Sequence, residues 1–142
     1  MNKQRFILIF LSGLLMILIL GACGTIRTKD TKRTEVLDNF RATLRFSEFN
    51  GLAGFIASEY LEKNPITRLE TNRLKQVRVS SYTILSVVAS DDSNEVIQTV
   101  ELGMVHQLTA SERRVRYIEV WRWDSELSNW RLHSGLPDVD RF

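Results

Sequence analysis

Residues 95–134 read EVIQTVELGMVHQLTASERRVRYIEVWRWDSELSNWRLHS, and their alternation decides the fold class. Val96, Val100, Leu102, Met104 and Leu108 share one parity, with Gln98 and His106 on the same face. Val115, Tyr117, Glu119, Trp121 and Trp123 form a second alternating run, and Trp130 and Leu132 a third near Asn129–Ser134. Period-two alternation marks strands that bury one face. A turn over Asp124–Asn129 pairs Trp123 with Trp130 and Trp121 with Leu132. A turn over Thr109–Arg114 pairs Leu108 with Val115, His106 with Tyr117, Met104 with Glu119 and Leu102 with Trp121. A one-residue slip in either hairpin sets apolar faces against polar ones, which argues for this register.

Upstream, Leu74–Ala89 supplies a further strand through Val77, Val79, Tyr82, Ile84, Leu85, Val87 and Val88. Its apolar parity changes near Ser80-Ser81, which predicts a bulge. Asp91-Asp92-Ser93-Asn94 predicts a polar turn. Earlier still, the period becomes helical. Val36, Leu37, Phe40 and Leu44 share one helix face from Glu35 onward, with Thr34 as N-cap and Glu35 and Asp38 suiting the helix dipole. Asn50-Gly51 interrupts the run, and Phe49, Leu52, Phe55, Ile56 and Tyr60 predict a second helical segment that Pro65 stops. The expected fold is α+β: N-terminal helices packed on a curved four-stranded antiparallel sheet. No internal repeat is visible.

The first residues follow other rules. Lys3 and Arg5 precede Phe6–Leu20, which is apolar apart from Ser12 and Gly13. That run is roughly 22 Å long as a helix, short of the ~20 residues a spanning helix needs. A basic start, a short apolar centre and small residues at its end describe an export signal. Leu20-Gly21-Ala22-Cys23 resembles the bacterial lipobox. The resemblance implies a diacylglycerol on the Cys23 thiol, cleavage between Ala22 and Cys23, and acylation of the new amine. Cys23 is the single Cys of the chain, and lipidation would consume a thiol otherwise exposed to oxidation. The expected parts are therefore a signal peptide over 1–22, a lipidated Cys and flexible tether over 23–34, and a domain over 35–142. In the tether, Arg27, Lys29, Lys32 and Arg33 outnumber Asp30. They suit a solvated linker, or contact with anionic headgroups. Gly24 stands where Asp commonly retains enterobacterial lipoproteins at the inner membrane. By analogy the expected location is the periplasmic side of the envelope, at the outer membrane.

Hydrophobic content of 44% and charged content of 25% are those of a globular chain. Loss of Lys3 and Arg5 takes the 19 basic residues to 17, equal to the 17 acidic ones. A neutral domain lacks the electrostatic footprint of nucleic-acid binding, so no nucleic-acid partner is expected.

The order of elements resembles the NTF2-like (nuclear transport factor 2-like) fold, and more narrowly small proteobacterial NTF2-like lipoproteins of unknown function. The resemblance rests on Leu44-Arg45-Phe46 through Phe49, Ala53–Phe55, Glu59-Tyr60, Val77-Arg78-Val79 with Tyr82, Trp121-Arg122-Trp123-Asp124, Trp130-Arg131-Leu132 and Ser134-Gly135-Leu136-Pro137. It implies a cone-shaped sheet with an internal pocket, over residues 36–138. It brings no catalytic residue, and the wider superfamily holds isomerases, dehydratases and binding modules alike.

Within the expected register, His106, Tyr117 and Glu119 share the apolar face. They are candidate pocket residues: imidazole, phenol and a carboxylate whose pKa burial would raise. The plainer alternative is that buried polar groups satisfy one another. Arg114, Arg116 and Arg122 form a row on the opposite face, either solvated or a surface for an acidic partner. His106 and His133 are the two histidines, and no paired-Cys motif accompanies them, so no metal or cofactor is expected. Two functions stay in play. One is a non-enzymatic envelope module, membrane-held through Cys23, binding a protein or a small apolar ligand. The other is a pocket enzyme moving a proton on a small hydrophobic substrate.

Overall fold

A computed structural model describes residues 28–46 and 48–139. The expected signal peptide, the cleavage position at Ala22 and the lipidation site Cys23 lie outside the described residues.

Helix α1 spans Lys29–Arg45. It opens six residues before the expected start, because Thr28 caps it: the Thr31 N–H donates to Thr28 Oγ1 at 3.3 Å, and Asp30 sits in the first turn. Thr34 is inside the helix, where its hydroxyl donates to the Asp30 carbonyl at 3.1 Å. The stretch Lys29–Thr34 is therefore helix rather than tether. Its cations are used locally. Lys29 Nζ donates to Asn94 Oδ1 at 2.7 Å and Lys32 Nζ to the Ser128 carbonyl at 2.8 Å. Both also lie over the Trp123 ring, at 5.2 and 5.7 Å. Phe40 and Leu44 are fully buried on the expected face, with Val36 and Leu37 packed beside them.

Asn50-Gly51 does not break the chain; it lies inside the short helix α2, Phe49–Leu52, which runs into a 3-10 turn at Ala53–Phe55. The first run ends earlier, at Arg45 with Phe46 as C-cap, and a second break comes at Ile56-Ala57, where the chain extends along the last strand. Helix α3, Ser58–Lys63, then stops before Pro65 as expected. Helix α4, Arg68–Leu74, has no counterpart in the sequence reading. It starts with a capping box in which Thr67 and Glu70 each satisfy the other's backbone N–H, at 2.7 and 3.2 Å. Leu74 accordingly ends a helix, and the strand expected from it begins at Val77.

The sheet is an antiparallel meander of β1 (Val77–Ala89), β2 (Glu95–His106), β3 (Glu112–Asp124) and β4 (Asn129–Leu132), in that order. The fold is α+β, helices first. The expected bulge is present, with a register shift between Val79 and Ser81, and a second shift lies between Ile84 and Ser86. The β3–β4 register is the expected one, Trp123 opposite Trp130 and Trp121 opposite Leu132.

The β2–β3 register differs. Val100 faces Tyr117, Gln98 faces Glu119 and Val96 faces Trp121. The strands are displaced by six residues, an even number, so every side chain keeps its expected face. The connection is tighter than the sequence suggests. It covers residues 107–111 and closes through Ala110 at φ 53°, a conformation that Ala does not advertise. Leu108 sits at this tip, 84% exposed, and not in the core.

Trp121, Trp130, Phe40, Leu44, Leu52, Leu102, Met104 and Leu132 form the centre of the core. Phe40 meets Trp121 and Phe55 edge-on, at 5.2 and 5.4 Å between centroids. Such pairs add about 0.5–1.5 kcal/mol each beyond area burial. Among the described residues, no helix is long and apolar enough to cross a membrane.

Gly103 permits the first bulge. A Cβ there would meet Ser80 Oγ at 2.7 Å, and the Gly103 N–H donates to Ser81 Oγ at 3.1 Å. Gly103→Ala is expected to lower unfolding stability by about 1–3 kcal/mol, the usual cost of overpacking. Urea unfolding checks this; an unchanged midpoint would mean that the bulge relaxes freely.

Candidate functional site

The covered face of the sheet holds one polar cluster. Glu119 stands on β3 between Tyr117 and Trp121, Gln98 lies opposite on β2, and Tyr82 reaches in from β1. The Tyr82 hydroxyl donates to Glu119 Oε1 at 2.7 Å and Trp121 Nε1 to Glu119 Oε2 at 3.0 Å. Gln98 Nε2 donates to the Tyr82 oxygen at 2.8 Å and reaches Glu119 Oε2 at 3.5 Å. Glu119 is 0% exposed. Burial raises its pKa, while the Tyr82 and Trp121 hydrogen bonds and the Arg41 charge pull it down. Burial, then the Glu119 charge, pushes Tyr82 well above the ordinary phenol, so it remains a neutral donor. Among the described residues, no buried side-chain nitrogen or oxygen lacks a hydrogen-bond partner. A carboxylate with both oxygens hydrogen-bonded and no exposed edge holds its neighbours in place.

The expected trio is not assembled. His106 is at the other end of β2, opposite Val77, and its backbone N–H donates to the Ser111 carbonyl at 2.9 Å. Its Nδ1 accepts from the Thr109 N–H at 3.4 Å, inside the β2–β3 turn. Gln98, opposite Glu119, is eight residues away along β2, roughly 26 Å of strand. Tyr117 is buried, but its hydroxyl donates to the Gly135 carbonyl at 2.6 Å and so fastens the C-terminal segment to the sheet. Burial, then the Glu119 charge, raises its pKa.

The sequence reading missed Tyr82 as a member of this cluster and placed Gln98 on the right face without a partner. The signal was available on both faces of the hairpin. The observed register sets Gln98 against Glu119, Glu95 against Arg122, Glu101 against Arg116 and Ile97 against Val120. The expected one put Met104 against Glu119 and left that carboxylate with an apolar neighbour.

Arg114, Arg116 and Arg122 lie exposed on the outer face, as expected. Arg122 Nε pairs with Glu95 Oε2 at 2.7 Å, and Arg114 Nη1 with Glu101 Oε1 at 3.5 Å. Opposite charges from β2 thus interleave with the row, and exposed pairs of this kind add about 0–1 kcal/mol each.

Several grooves flank the core, two of them beside the polar cluster and the C-terminal segment. The first, of about 230 Å³, runs between α1 and β1 and is lined by Leu37, Arg41, Tyr82, Ile84, Val87 and Gln98, among others. The second, of about 620 Å³, lies between the α3–α4 connection and residues 134–139 and includes Tyr60, Ile66 and Leu136. Among the described residues, no three His, Cys, Asp or Glu side chains are grouped to hold a metal ion.

No family model matches the chain. No curated protein matches it either. Among solved structures, the intermembrane space region of chloroplast protein ARC6 is similar over 77% of this chain and 97% of that one. The identity is 15% and the TM-score 0.35, a likeness too remote to carry an argument.

Proposed function

We propose that this chain is a lipid-anchored module of the cell envelope that acts by binding and not by catalysis. The observation that carries the reading is the state of Glu119: it is sealed at 0% exposure and bound by Tyr82, Trp121 and Gln98, with His106 far along the strand. The proton-transfer alternative needs those two groups beside one cavity. Export and lipidation are supported by the lipobox at Leu20-Gly21-Ala22-Cys23 and by the absence of any other Cys from the chain. The anchor would be at Cys23, on the periplasmic side, with the outer membrane favoured by Gly24. The NTF2-like assignment is part of the same proposal, supported by helices that precede a bulged four-stranded meander.

The early start of α1 sharpens the reading. From Cys23 to Thr28 the chain can span at most about 18 Å, so lipidation would hold the domain close to the bilayer. Cys23→Ser is expected to leave the precursor uncleaved by the lipoprotein signal peptidase and free of lipid. Labelling with a radioactive fatty acid checks this, and normal label on the variant would end the lipoprotein reading. For the non-catalytic part, Glu119→Gln and His106→Ala are each expected to preserve the wild-type cellular phenotype. Loss of phenotype in both, with folding intact, would instead favour the enzyme.

A further inference from the structure

A sheet edge is a row of unpaired N–H and C=O groups, a template for another strand. The two edges of this sheet differ. At β4, Ile56 bridges Leu132, and the Ala57 N–H donates to the Leu132 carbonyl at 2.9 Å. At β1, the sheet order places a strand on one side alone. β1 is 13 residues long, and Val79–Ala89 contains no charge and no Pro to discourage pairing. Ile84, Leu85, Val87 and Val88 are 45, 48, 56 and 62% exposed there.

We propose that β1 pairs antiparallel with β1 of a second copy of this chain, about a two-fold axis between Leu85 and Ser86, to make one eight-stranded sheet. The register supports that axis. Ile84 and Val87 lie on the helix-covered face, opposite Val100 and Gln98, while Thr83 and Val88 lie on the outer face, opposite Glu101 and Ile97. Antiparallel partners share a face. The proposed axis sets Ile84 against Val87 and Thr83 against Val88, so both faces match at once. The bulge at Leu85 then falls on the axis. The regular stretches Ser81–Ile84 and Ser86–Ala89 meet each other, not their own kind.

Charge favours a second copy over an unrelated strand. Arg78 stands at the start of β1 and the Asp91-Asp92 turn just beyond its end. Antiparallel self-pairing brings the basic start of one copy beside the acidic end of the other, twice, while the middle of the edge stays uncharged. The α1–β1 groove gains by the same contact. It opens at Ile84 and Val87, and the partner's Ile84 and Val87 would continue its apolar floor across the axis.

The inference does not depend on the lipid anchor. Its test is sedimentation equilibrium of the full chain in density-matched detergent. The expected mass is that of a dimer. Leu85→Lys, at an exposed position, is expected to give a monomer with an unchanged far-ultraviolet spectrum. Arg78→Asp is expected to weaken the dimer several-fold, and Arg78→Asp with Asp91→Arg to restore it. A photo-crosslinker at Val88 in cells should give a product of twice the chain's mass. A wild-type monomer at every concentration overturns the proposal, as does a dimer indifferent to Leu85→Lys. A Val88 crosslink to a different protein, or back to residues 1–27 of the same chain, assigns the edge to another occupant and overturns it too.

Discussion

Glu119→Ala is expected to lower unfolding stability by about 3–5 kcal/mol, from two stranded buried donors and a cavity together. The substitution leaves the Tyr82 hydroxyl and Trp121 Nε1 without their acceptor in a sealed site, and opens a cavity beside Trp121. Each stranded donor costs about 1–3 kcal/mol. Glu119→Gln keeps one acceptor oxygen and nearly the same volume, and is expected to cost about 1 kcal/mol. The two variants separate network from charge.

Acidity separates them further. Burial raises the Glu119 pKa above 4.5, so the folded chain binds this proton more readily than the unfolded chain. The contribution of Glu119 to stability is therefore greatest below pH 4.5. It falls as pH rises from there through the raised folded value, and is level beyond it. Gln carries no such proton. Wild type should gain on Glu119→Gln as pH is lowered through that window. Urea midpoints of both proteins between pH 4 and 8 check this; a constant difference would refute the raised carboxyl.

Trp130→Ala is expected to cost about 3–5 kcal/mol, as for other buried Trp truncations. Trp130 is 1% exposed, meets Trp123 edge-on at 5.9 Å, and its Nε1 donates to the Lys29 carbonyl at 3.0 Å. It therefore clamps the first turn of α1 to the last hairpin. The loss should be uneven: amides of residues 31–36 should exchange faster, relative to β2, than global destabilisation accounts for. Hydrogen exchange read by mass spectrometry measures this, and a uniform loss would mean that α1 is held from elsewhere. Stability of a domain this size is typically 5–15 kcal/mol, so either Ala variant alone brings the fold close to its limit.

Three features of the fold leave little or no trace in the sequence, each for a physical reason. Helix α4 is seven residues long, too short for a clear helical period, and its capping box, Thr67 with Glu70, is the local signal of its start. The start of α1 is hidden because Lys29, Asp30, Lys32 and Arg33 look like linker until the fold sets Lys29 and Lys32 over Trp123 and the Lys29 carbonyl against Trp130 Nε1. The candidate trio failed for one reason. Leu108 has core parity, and no Gly, Asn or Asp marks Ala110 as the residue that closes the turn at φ 53°.

What the sequence determined by itself is each side chain's face. Period-two alternation is local, and a displacement of six residues leaves it untouched. The faces of Val96, Gln98, Val100, Leu102, Met104, Tyr117, Glu119, Trp121, Trp130 and Leu132, all buried, could therefore be read without a structure, while His106, Val115 and Trp123 are half-buried and Leu108 is exposed at the tip. The tertiary structure decided which side chains on that face touch. Glu119 is read as a pocket base when it faces Met104 and as a closed structural carboxylate when Gln98, Tyr82 and Trp121 surround it. Parity is a property of one strand, but contact depends on the register between strands, and the turn and both sheet faces settle that register together.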